Sequence, residues 1–260
     1  PLKKSSQYNE GIKSWWLNYK CDKQNFIINN FTKLFLKKCL KLDNFAEEWL
    51  DNKLTLSGII TEPSLARWVP KLLSKDVNIM ISASSPIRDF LTFGGKSALY
   101  HRCFSFRGAS GIDGTLSMAM GLAYKYKNTF LITGDLALFH DTNGWLFSVT
   151  NNIHLKIILI DNGGGGIFNQ FNDDELYKGD FEKLFIMPQN INIISMLEAY
   201  DVAFKQVSCL EDLDEAIQWS LNLSKSTVIR VKTFSCEDVK YRNNIVNEMA
   251  KHINLYVSSN

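Results

Sequence analysis

The chain has 260 residues, of which 45% are hydrophobic and 22% are charged, so it has globular composition and enough length to bury a core. A formal net charge of +2 gives no electrostatic reason to expect nucleic acid as a main partner. No apolar stretch reaches the roughly 20 residues of a membrane span, and the five cysteines form no CxxC pair.

The same counts bear on where the protein works. Cysteines without a pairing pattern favour reduced thiols in an intracellular protein over a disulfide framework or a zinc site. Lysines outnumber arginines 23 to 6, a bias typical of AT-rich coding, which predicts a plastid or a bacterial cytoplasm as the location. The sequence starts at Pro1 rather than Met, so we expect it to be part of a longer polypeptide.

The first 54 residues differ from the remainder of the chain. Aromatic residues are scattered there among lysines and asparagines, and glycine is nearly absent. This pattern predicts two or three short amphipathic helices. We interpret residues 1–54 as the tail of a preceding domain with a linker, and residues 55–260 as one further domain.

From Thr61 onward, apolar strands alternate with helices. We expect strands at 77–81, 103–106, 129–133, 155–160, 202–207 and 227–233. We expect helices at 61–73, 114–123, 137–149, 191–199, 211–223 and 237–256. A long loop separates the first two strands, and a polar loop runs from the strand 155–160 to residue 188. This alternation predicts an α/β fold with a doubly wound parallel sheet.

Two of the predicted strands end in residues that suit a metal site. Asp135 follows the strand 129–133, and Asn162, 27 residues later, follows the strand 155–160 and precedes a glycine run. Such strand ends meet at the edge of an open α/β sheet where ligands bind. A carboxylate, an amide oxygen and a glycine carbonyl are hard ligands that suit Mg²⁺, and a helix starting after Asp135 offers N–H groups to an anion. We therefore expect a metal site that carries a phosphate-containing cofactor.

Other interpretations of the motifs fit the residues less well. Aspartates also cap helices and glycines also form turns, but their paired position at two strand ends favours a ligand site. The segment 107–111 lacks the Gly-x-Ser-x-Gly order of a serine nucleophile elbow, and no histidine has the spacing of a base. Phe90 and Phe168 stand where a P-loop and a dinucleotide fingerprint, respectively, require glycine.

Arginine placement indicates the charge of the substrate. Arg88, in the loop that starts at Ser84, and Arg107, in a glycine-rich loop, both fall at the predicted carboxyl edge. A surface pair between Arg88 and Asp89 is the plainer interpretation, and it would contribute little stability. Because arginine binds carboxylates with two parallel hydrogen bonds, the two arginines predict an anionic, polycarboxylate substrate.

Four segments carry a family resemblance. They are the loop 84–88, the sequence RGASGIDG at 107–114, the sequence GGIF ending at Phe168, and the sequence MPQN at 187–190. Together they resemble the C-terminal diphosphate-binding domain of thiamine diphosphate enzymes and, within that superfamily, the 2-succinyl-5-enolpyruvyl-6-hydroxy-3-cyclohexene-1-carboxylate synthases of menaquinone and phylloquinone biosynthesis. The 107–114 loop is specific to these synthases, whereas the Asp/Asn pair is shared by the superfamily. The resemblance covers residues 55–260, and includes 1–54 only by position.

The resemblance implies a thiamine diphosphate- and Mg²⁺-dependent transferase that decarboxylates 2-oxoglutarate and adds the succinyl unit to isochorismate. It implies that Asp135, Asn162 and the Gly164 carbonyl bind Mg²⁺ on the diphosphate. The implied cofactor-binding residues are Ile112, which lies under the cofactor, Gly134, Asp135, Leu136, Ala137, Asn162, Gly164 and Ile167. The implied substrate-binding residues are Ser84, Arg88, Arg107, Ile167 and Phe168.

The resemblance also implies parts that this chain does not supply. In the superfamily, the glutamate that activates the cofactor comes from the N-terminal, pyrimidine-binding domain of a partner subunit, so we identify no catalytic residue here and expect a dimer or a tetramer. Ala83, Asp161 and Gly163 stand where the family usually has asparagine, and Asp161 predicts added negative charge beside the metal. Two alternatives stay open: a catalytically silent module that binds Mg²⁺-diphosphate or a partner chain, and another thiamine diphosphate enzyme such as an acetolactate synthase, which the 107–114 loop disfavours.

Overall fold

The protein is described by a computed structural model that covers residues 30–106, 108–171 and 178–258. Contacts divide the chain into two units, Pro1–Ala46 and Glu47–Asn260. Within the described part of the first 54 residues, one 24-residue helix, α1 (Asn30–Lys53), replaces the several short helices that we expected. What was predicted for residues 1–29 lies outside the described ranges, and the domain boundary at 54/55 stays a prediction.

The second unit contains a six-stranded sheet in which every neighbouring pair is parallel. Its strands are β1 (Asn78–Ile81), β2 (Arg102–Ser105), β3 (Thr129–Gly134), β4 (Lys156–Asp161), β5 (Ala203–Val207) and β6 (Thr227–Lys232). The spatial order is β2-β1-β3-β4-β6-β5. All six predicted strands are confirmed, with bounds that differ by no more than one residue.

Both faces of this sheet are buried, which explains why the strands are continuous apolar runs. Ile79 and Ile81 of β1 pack into one core cluster with alternate residues of β3, β4 and β6. Met80 of β1 and Leu131 of β3 point the other way, into a second cluster that contains the fully buried Trp145. The doubly wound α/β fold is therefore confirmed.

Helices cover these faces. Those after α1 are α2 (Glu62–Leu72), α3 (Ser85–Phe93), α4 (Gly95–Ala98), α5 (Thr115–Tyr126), α6 (Asp135–His140), α7 (Trp145–Asn151), α8 (Lys178–Phe181), α9 (Ile193–Ala199), α10 (Leu213–Asn222) and α11 (Ser235–Ser258). A 3₁₀ helix (Gly166–Phe171) and a π-helical turn (Glu182–Ile186) lie in the segment that we expected to be a polar loop. None of the helices in the described ranges has the length and apolar character that a bilayer crossing requires.

Two further expectations about helices are wrong. The segment between β1 and β2 is not a long loop, because Pro86 in the first turn starts α3 and α4 follows it. The helix expected at 137–149 is interrupted at Asp141, whose carboxylate accepts hydrogen bonds from the backbone and hydroxyl of Ser117 in α5. Gly144 then packs against Ser117, where a Cβ would lie 2.9 Å from the Ser117 nitrogen. Close packing on α5 therefore overrides the helical pattern.

The strand order fixes where a ligand can bind. From β1 the chain moves to β2 on one side, and then returns to β3 on the other side of β1. The carboxyl ends of β1 and β3 therefore form the switch point of the sheet, where loops diverge and leave a crevice.

Candidate functional site

A cavity of about 460 Å³ lies at this switch point. All the predicted site residues that the structure describes border it. They are Ser84, Arg88, Ile112, Gly134, Asp135, Leu136, Ala137, Asn162, Gly164, Ile167 and Phe168. Arg107 lies outside the described residues. The strand-end argument and the family resemblance together thus identified residues that converge on one cavity, and what each of them binds stays a prediction.

Asp135 is a buried acid of the cavity. It follows β3 directly, and its carboxylate accepts hydrogen bonds from the backbone N–H groups of Leu136 (2.7 Å), Gly163 (3.0 Å) and Gly164 (2.8 Å). Burial raises the pKa of Asp135 to about 7. The backbone hydrogen bonds lower this pKa, and the negative charge of the neighbouring Asp161 raises it further. A cation in the cavity would favour the ionised form, because it would offset the cost of burying the charge.

The glycine run after β4 forms a turn that only glycine suits. Gly163 and Gly164 have φ values of 82° and 129°. A Cβ on Gly164 would lie 2.1 Å from the carbonyl oxygen of Ile186. The Gly164 carbonyl accepts one hydrogen bond, from the Gly166 nitrogen at 2.8 Å, so it keeps a second lone pair. The turn brings this carbonyl and the Asp135 carboxylate to the same cavity.

Asn162 has one satisfied and one unsatisfied end. Its Nδ2 donates to Glu62 Oε1 at 2.6 Å. Its Oδ1 is buried and has no hydrogen-bond partner in the described part of the chain. A buried acceptor without a partner costs about 1–3 kcal/mol, so an acceptor left open beside a cavity indicates a site for a ligand atom. Amide oxygen beside carboxylate and carbonyl oxygen suits a hard cation.

Such a cation would have few acidic ligands. Among residues 30–106, 108–171 and 178–258, no group of three His, Cys, Asp or Glu side chains is arranged to hold a metal. A cation held by Asp135, Asn162 and the Gly164 carbonyl would have one carboxylate ligand and two neutral oxygen ligands from the protein. That composition suits an ion whose remaining ligands are water and phosphate oxygens rather than a cage made wholly of protein.

Glu62 is a residue of this site that sequence reasoning missed. It is only 2% exposed, begins α2, and accepts hydrogen bonds from Asn162 and from Arg242 of α11. Its own backbone N–H donates to Asp238 Oδ1 at 3.1 Å. We had interpreted it as part of a helix start. A helix that leads into a parallel strand begins at the carboxyl edge of the sheet, and that rule could have found it.

Arg242 joins two buried carboxylates behind the cavity, and a third, that of Asp238, lies near them. It donates twice to Asp89, at 2.7 and 2.6 Å, and once to Glu62. Asp89 therefore pairs with Arg242, and the surface pair with Arg88 that we had considered is wrong. Burial raises the pKa of Asp89 to about 6 and that of Asp238 to about 7; the nearby charge of Glu62 raises both, and Arg242 lowers both.

The arginine side of the cavity is shaped by a strained turn. Ser84 has a φ of 76°, a conformation that costs a non-glycine residue about 1–3 kcal/mol and that tends to occur at functional sites. The Ser84 carbonyl accepts a hydrogen bond from Arg88 Nη1 at 2.8 Å, and Arg88 is otherwise exposed at the cavity rim. Four donor N–H groups of the guanidinium therefore stay available to an anion.

The remaining wall is largely apolar. Phe168 packs edge-on against Phe185, with ring centroids 5.4 Å apart. Besides Glu62, eight residues that we had not assigned to the site also border the cavity. They are Ala83, Ser85, Pro86, Ser110, Ile160, Gly165, Gln170 and Phe171. An apolar wall next to a few oriented polar groups is typical of a small-molecule site.

Comparison with known families and sequences adds independent information. The family described as "Thiamine pyrophosphate enzyme, C-terminal TPP binding domain" matches residues 96–231. A 2-succinyl-5-enolpyruvyl-6-hydroxy-3-cyclohexene-1-carboxylate synthase of Prochlorococcus marinus (strain NATL2A) is 48% identical over 267 aligned residues, which cover 100% of this chain and 44% of that protein. A protein of the same name from Parasynechococcus marenigrum (strain WH8102) is 42% identical, over 93% of this chain and 42% of its own length.

The chain therefore spans less than half the length of these curated relatives. Among solved structures, the thiamine diphosphate-dependent 4-hydroxybenzoylformate decarboxylase of Rhodococcus jostii RHA1 superposes with a TM-score of 0.57 at 21% identity, over 68% of this chain and 33% of that one. At this identity the likeness shows a shared fold.

Proposed function

The chain belongs to the thiamine pyrophosphate enzymes, whose C-terminal cofactor-binding domain it contains, and from this premise we propose that its cavity binds thiamine diphosphate together with Mg²⁺. The observation that carries the proposal is the buried, unpartnered Oδ1 of Asn162. Asn162 lines the same cavity as Asp135 and the glycine turn, so the residues present fit a cation with a diphosphate.

In this proposal, three groups hold the cation: the Asp135 carboxylate, Asn162 Oδ1 and the Gly164 carbonyl. Gly134, where a Cβ would meet no atom within 4 Å, leaves space for a ligand beside β3. Gly134, Leu136 and Ala137 then contact the diphosphate end. Ile112 supports the body of the cofactor from the other side of the cavity.

For the complete protein we propose decarboxylation of 2-oxoglutarate and transfer of the succinyl unit to isochorismate, in menaquinone or phylloquinone biosynthesis. The bound cofactor supplies the nucleophilic carbon that this chemistry requires. Arg88 and Arg107 bind carboxylates of the substrates, and Ser84 positions Arg88 through its carbonyl. Ile167 and Phe168 restrict water, which strengthens those ion pairs. The similarity to the cyanobacterial synthases supports this choice of substrates.

The cavity accounts for cofactor and substrate binding, but not for activation of the cofactor. Its carboxylates, Glu62 and Asp135, are engaged with Asn162 and Arg242 and with the glycine turn. We propose that a pyrimidine-binding domain, in the part of the relatives that this chain does not span, supplies the activating glutamate from a partner subunit. The working protein is then a dimer or a tetramer in a bacterial cytoplasm or a plastid.

Calorimetry on the full-length protein that contains this chain tests the cofactor proposal. Thiamine diphosphate should bind with Mg²⁺ present and should bind far more weakly in EDTA. Equal affinity in both conditions would contradict the metal site. An assay with 2-oxoglutarate and isochorismate then separates the synthase from a silent module, which would bind the cofactor without turnover. Pyruvate as the preferred donor would instead favour an acetolactate synthase.

A further inference from the structure

We propose that Glu62 is a positioning residue, which fixes the side-chain amide of Asn162 so that its oxygen, and not its nitrogen, is available to the cation. This inference rests on the proposed metal site and adds a residue to it. Glu62 is not expected to contact the metal. Its role is exerted through the 2.6 Å hydrogen bond from Asn162 Nδ2 to Glu62 Oε1.

The argument begins with the chemistry of the two groups. The two ends of an amide have similar shape, but only the oxygen can bind a cation. A carboxylate can only accept hydrogen bonds, so the amide must present its NH₂ group to Glu62. The oxygen is then left as the open acceptor, and Oδ1 is indeed the atom without a partner. The reverse orientation would set two acceptors against each other and direct N–H groups at the cation.

Glu62 is itself held firmly. It is the first residue of α2, where Thr61 and Ser64 form reciprocal caps with hydrogen bonds of 3.2 and 2.9 Å. Its Oε2 accepts from Arg242. Thr233 Oγ1 donates to Oε1 at 3.4 Å. The position of this carboxylate is therefore determined by three parts of the fold: α2, the residue after β6, and α11.

Glutamine at position 62 keeps the shape of the glutamate side chain but no longer requires one orientation of the Asn162 amide. The glutamine amide can donate to Asn162 Oδ1 as well as accept from Nδ2, so the wrong orientation of Asn162 is no longer penalised. Loss of such an outer contact typically weakens metal binding about 10- to 100-fold. Asp89→Asn is the matched control, because Asp89 is equally buried and bonds Arg242, but makes no hydrogen bond to Asn162 among the described residues.

The experiment measures Mg²⁺ affinity at saturating thiamine diphosphate, and the melting temperature without either ligand, in the full-length protein. Glu62→Gln should weaken Mg²⁺ binding about 10- to 100-fold, and Asp89→Asn by less than about 3-fold. Normal affinity in Glu62→Gln, or an equal loss in both variants, overturns the inference and leaves the proposed function standing. A parent protein that binds no Mg²⁺ with thiamine diphosphate overturns both.

A double variant gives a readout that a merely structural role would not move. Aspartate at position 162 offers an oxygen in either orientation. Asn162→Asp alone places two carboxylates together, whereas Asn162→Asp with Glu62→Gln lets the glutamine NH₂ donate to the new carboxylate. We expect the double variant to bind Mg²⁺ at least about 10-fold more tightly than Glu62→Gln alone. Absence of this rescue overturns the inference. Where Glu62→Gln alone fails to fold, the double variant is compared with the parent protein, and Mg²⁺ binding weaker than the parent's by more than about 10-fold overturns the inference.

Discussion

Asp161 at the end of β4 is paired with Arg230 of the neighbouring β6: Arg230 Nε donates to Asp161 Oδ2 at 2.7 Å, and Nη2 donates to the same oxygen. The sequence had predicted extra negative charge from Asp161 beside the metal. Arg230 offsets that charge within the sheet, so Asp161, which stands where the family usually has asparagine, has its own counter-ion. Arg230 is fixed on its other side by Gln206 of β5.

The first prediction concerns the metal ligand. Asp135→Asn should weaken Mg²⁺ binding at least about 100-fold, because it removes the only charged ligand of the proposed set. It should also lower the free energy of unfolding by about 1–2 kcal/mol, since the new NH₂ must face backbone N–H groups. Asp141→Asn is the control: that carboxylate also accepts from a backbone N–H, but it lies outside the cavity lining. Equal metal affinities for the two variants would argue against the site.

The second prediction concerns substrate charge. Arg88→Ala in the full-length protein should lower kcat/KM for 2-oxoglutarate about 30- to 150-fold, which corresponds to about 2–3 kcal/mol, because a substrate carboxylate loses its charged partner. The Kd of thiamine diphosphate should change little. Arg88→Lys keeps the positive charge but not the planar pair of N–H donors, so its kcat/KM should lie between those of the parent and of Arg88→Ala. A collapse of cofactor binding with unchanged substrate kinetics would instead place Arg88 on the diphosphate.

The third prediction concerns the buried charges behind the cavity. Arg242→Ala leaves Glu62 and Asp89 without their shared cation, so it should lower the free energy of unfolding by about 3–5 kcal/mol. Lys205→Ala, which breaks an ion pair with the largely exposed Glu215, should cost less than about 1 kcal/mol. Urea unfolding of both variants makes the comparison. Similar costs would mean that Arg242 contributes no more than a surface charge.

The fourth prediction concerns pH. Burial, and then the charge of Glu62, raises the pKa of Asp238 from 3.8 to about 7. The native state therefore keeps this proton between about pH 4 and 7 while the unfolded chain releases it, so the associated stability is complete below about pH 4 and is lost as the pH rises through 7. Asp238→Asn cannot ionise, and Glu62 and Asp89 carry charge of the same sign nearby.

Asp238→Asn should consequently be more stable than the parent at pH 8, by on the order of 2 kcal/mol, with the difference shrinking toward pH 4. Urea unfolding at pH 4.5, 6 and 8 measures this trend. Asp201→Asn is the control, because the Asp201 side chain is 90% exposed and the same substitution there removes no buried charge. If the stability difference between Asp238→Asn and the parent instead grew on acidification, the pKa of Asp238 would be lowered in the native state rather than raised.

The fifth prediction concerns the glycine turn. Gly164→Ala should lower the melting temperature markedly, because its Cβ would lie 2.1 Å from the Ile186 carbonyl oxygen at a φ of 129°. Gly134→Ala should leave the apo melting temperature nearly unchanged, since its Cβ meets no atom within 4 Å. Thermal unfolding of the two variants without ligand tests this contrast. A fully stable Gly164→Ala would show that the turn can move away from Ile186.

Sequence reasoning succeeded where one local pattern decides the outcome. The short apolar runs before Asp135 and Asn162, bounded by turn residues, favour buried strands, and parallel topology then brings the two residues to one edge. Sequence reasoning failed where a residue distant in the sequence determines the local structure or the ion pair. The break at Asp141 depends on Ser117, the pairing of Asp89 depends on Arg242, and neither is visible in a local pattern. Glu62 lies between these cases, because helix direction alone would have placed it at the site.

The bond between Glu62 and Arg242 joins residues 180 positions apart, and that between Asp89 and Arg242 joins residues 153 positions apart. During translation, both acids and the whole sheet emerge before the arginine does. A nascent chain that has not yet produced α11 must leave these carboxylates either hydrated or protonated, because their counter-ion is missing. The pairing of Glu62 and Asp89 with Arg242 is therefore possible only after α11 has been synthesised.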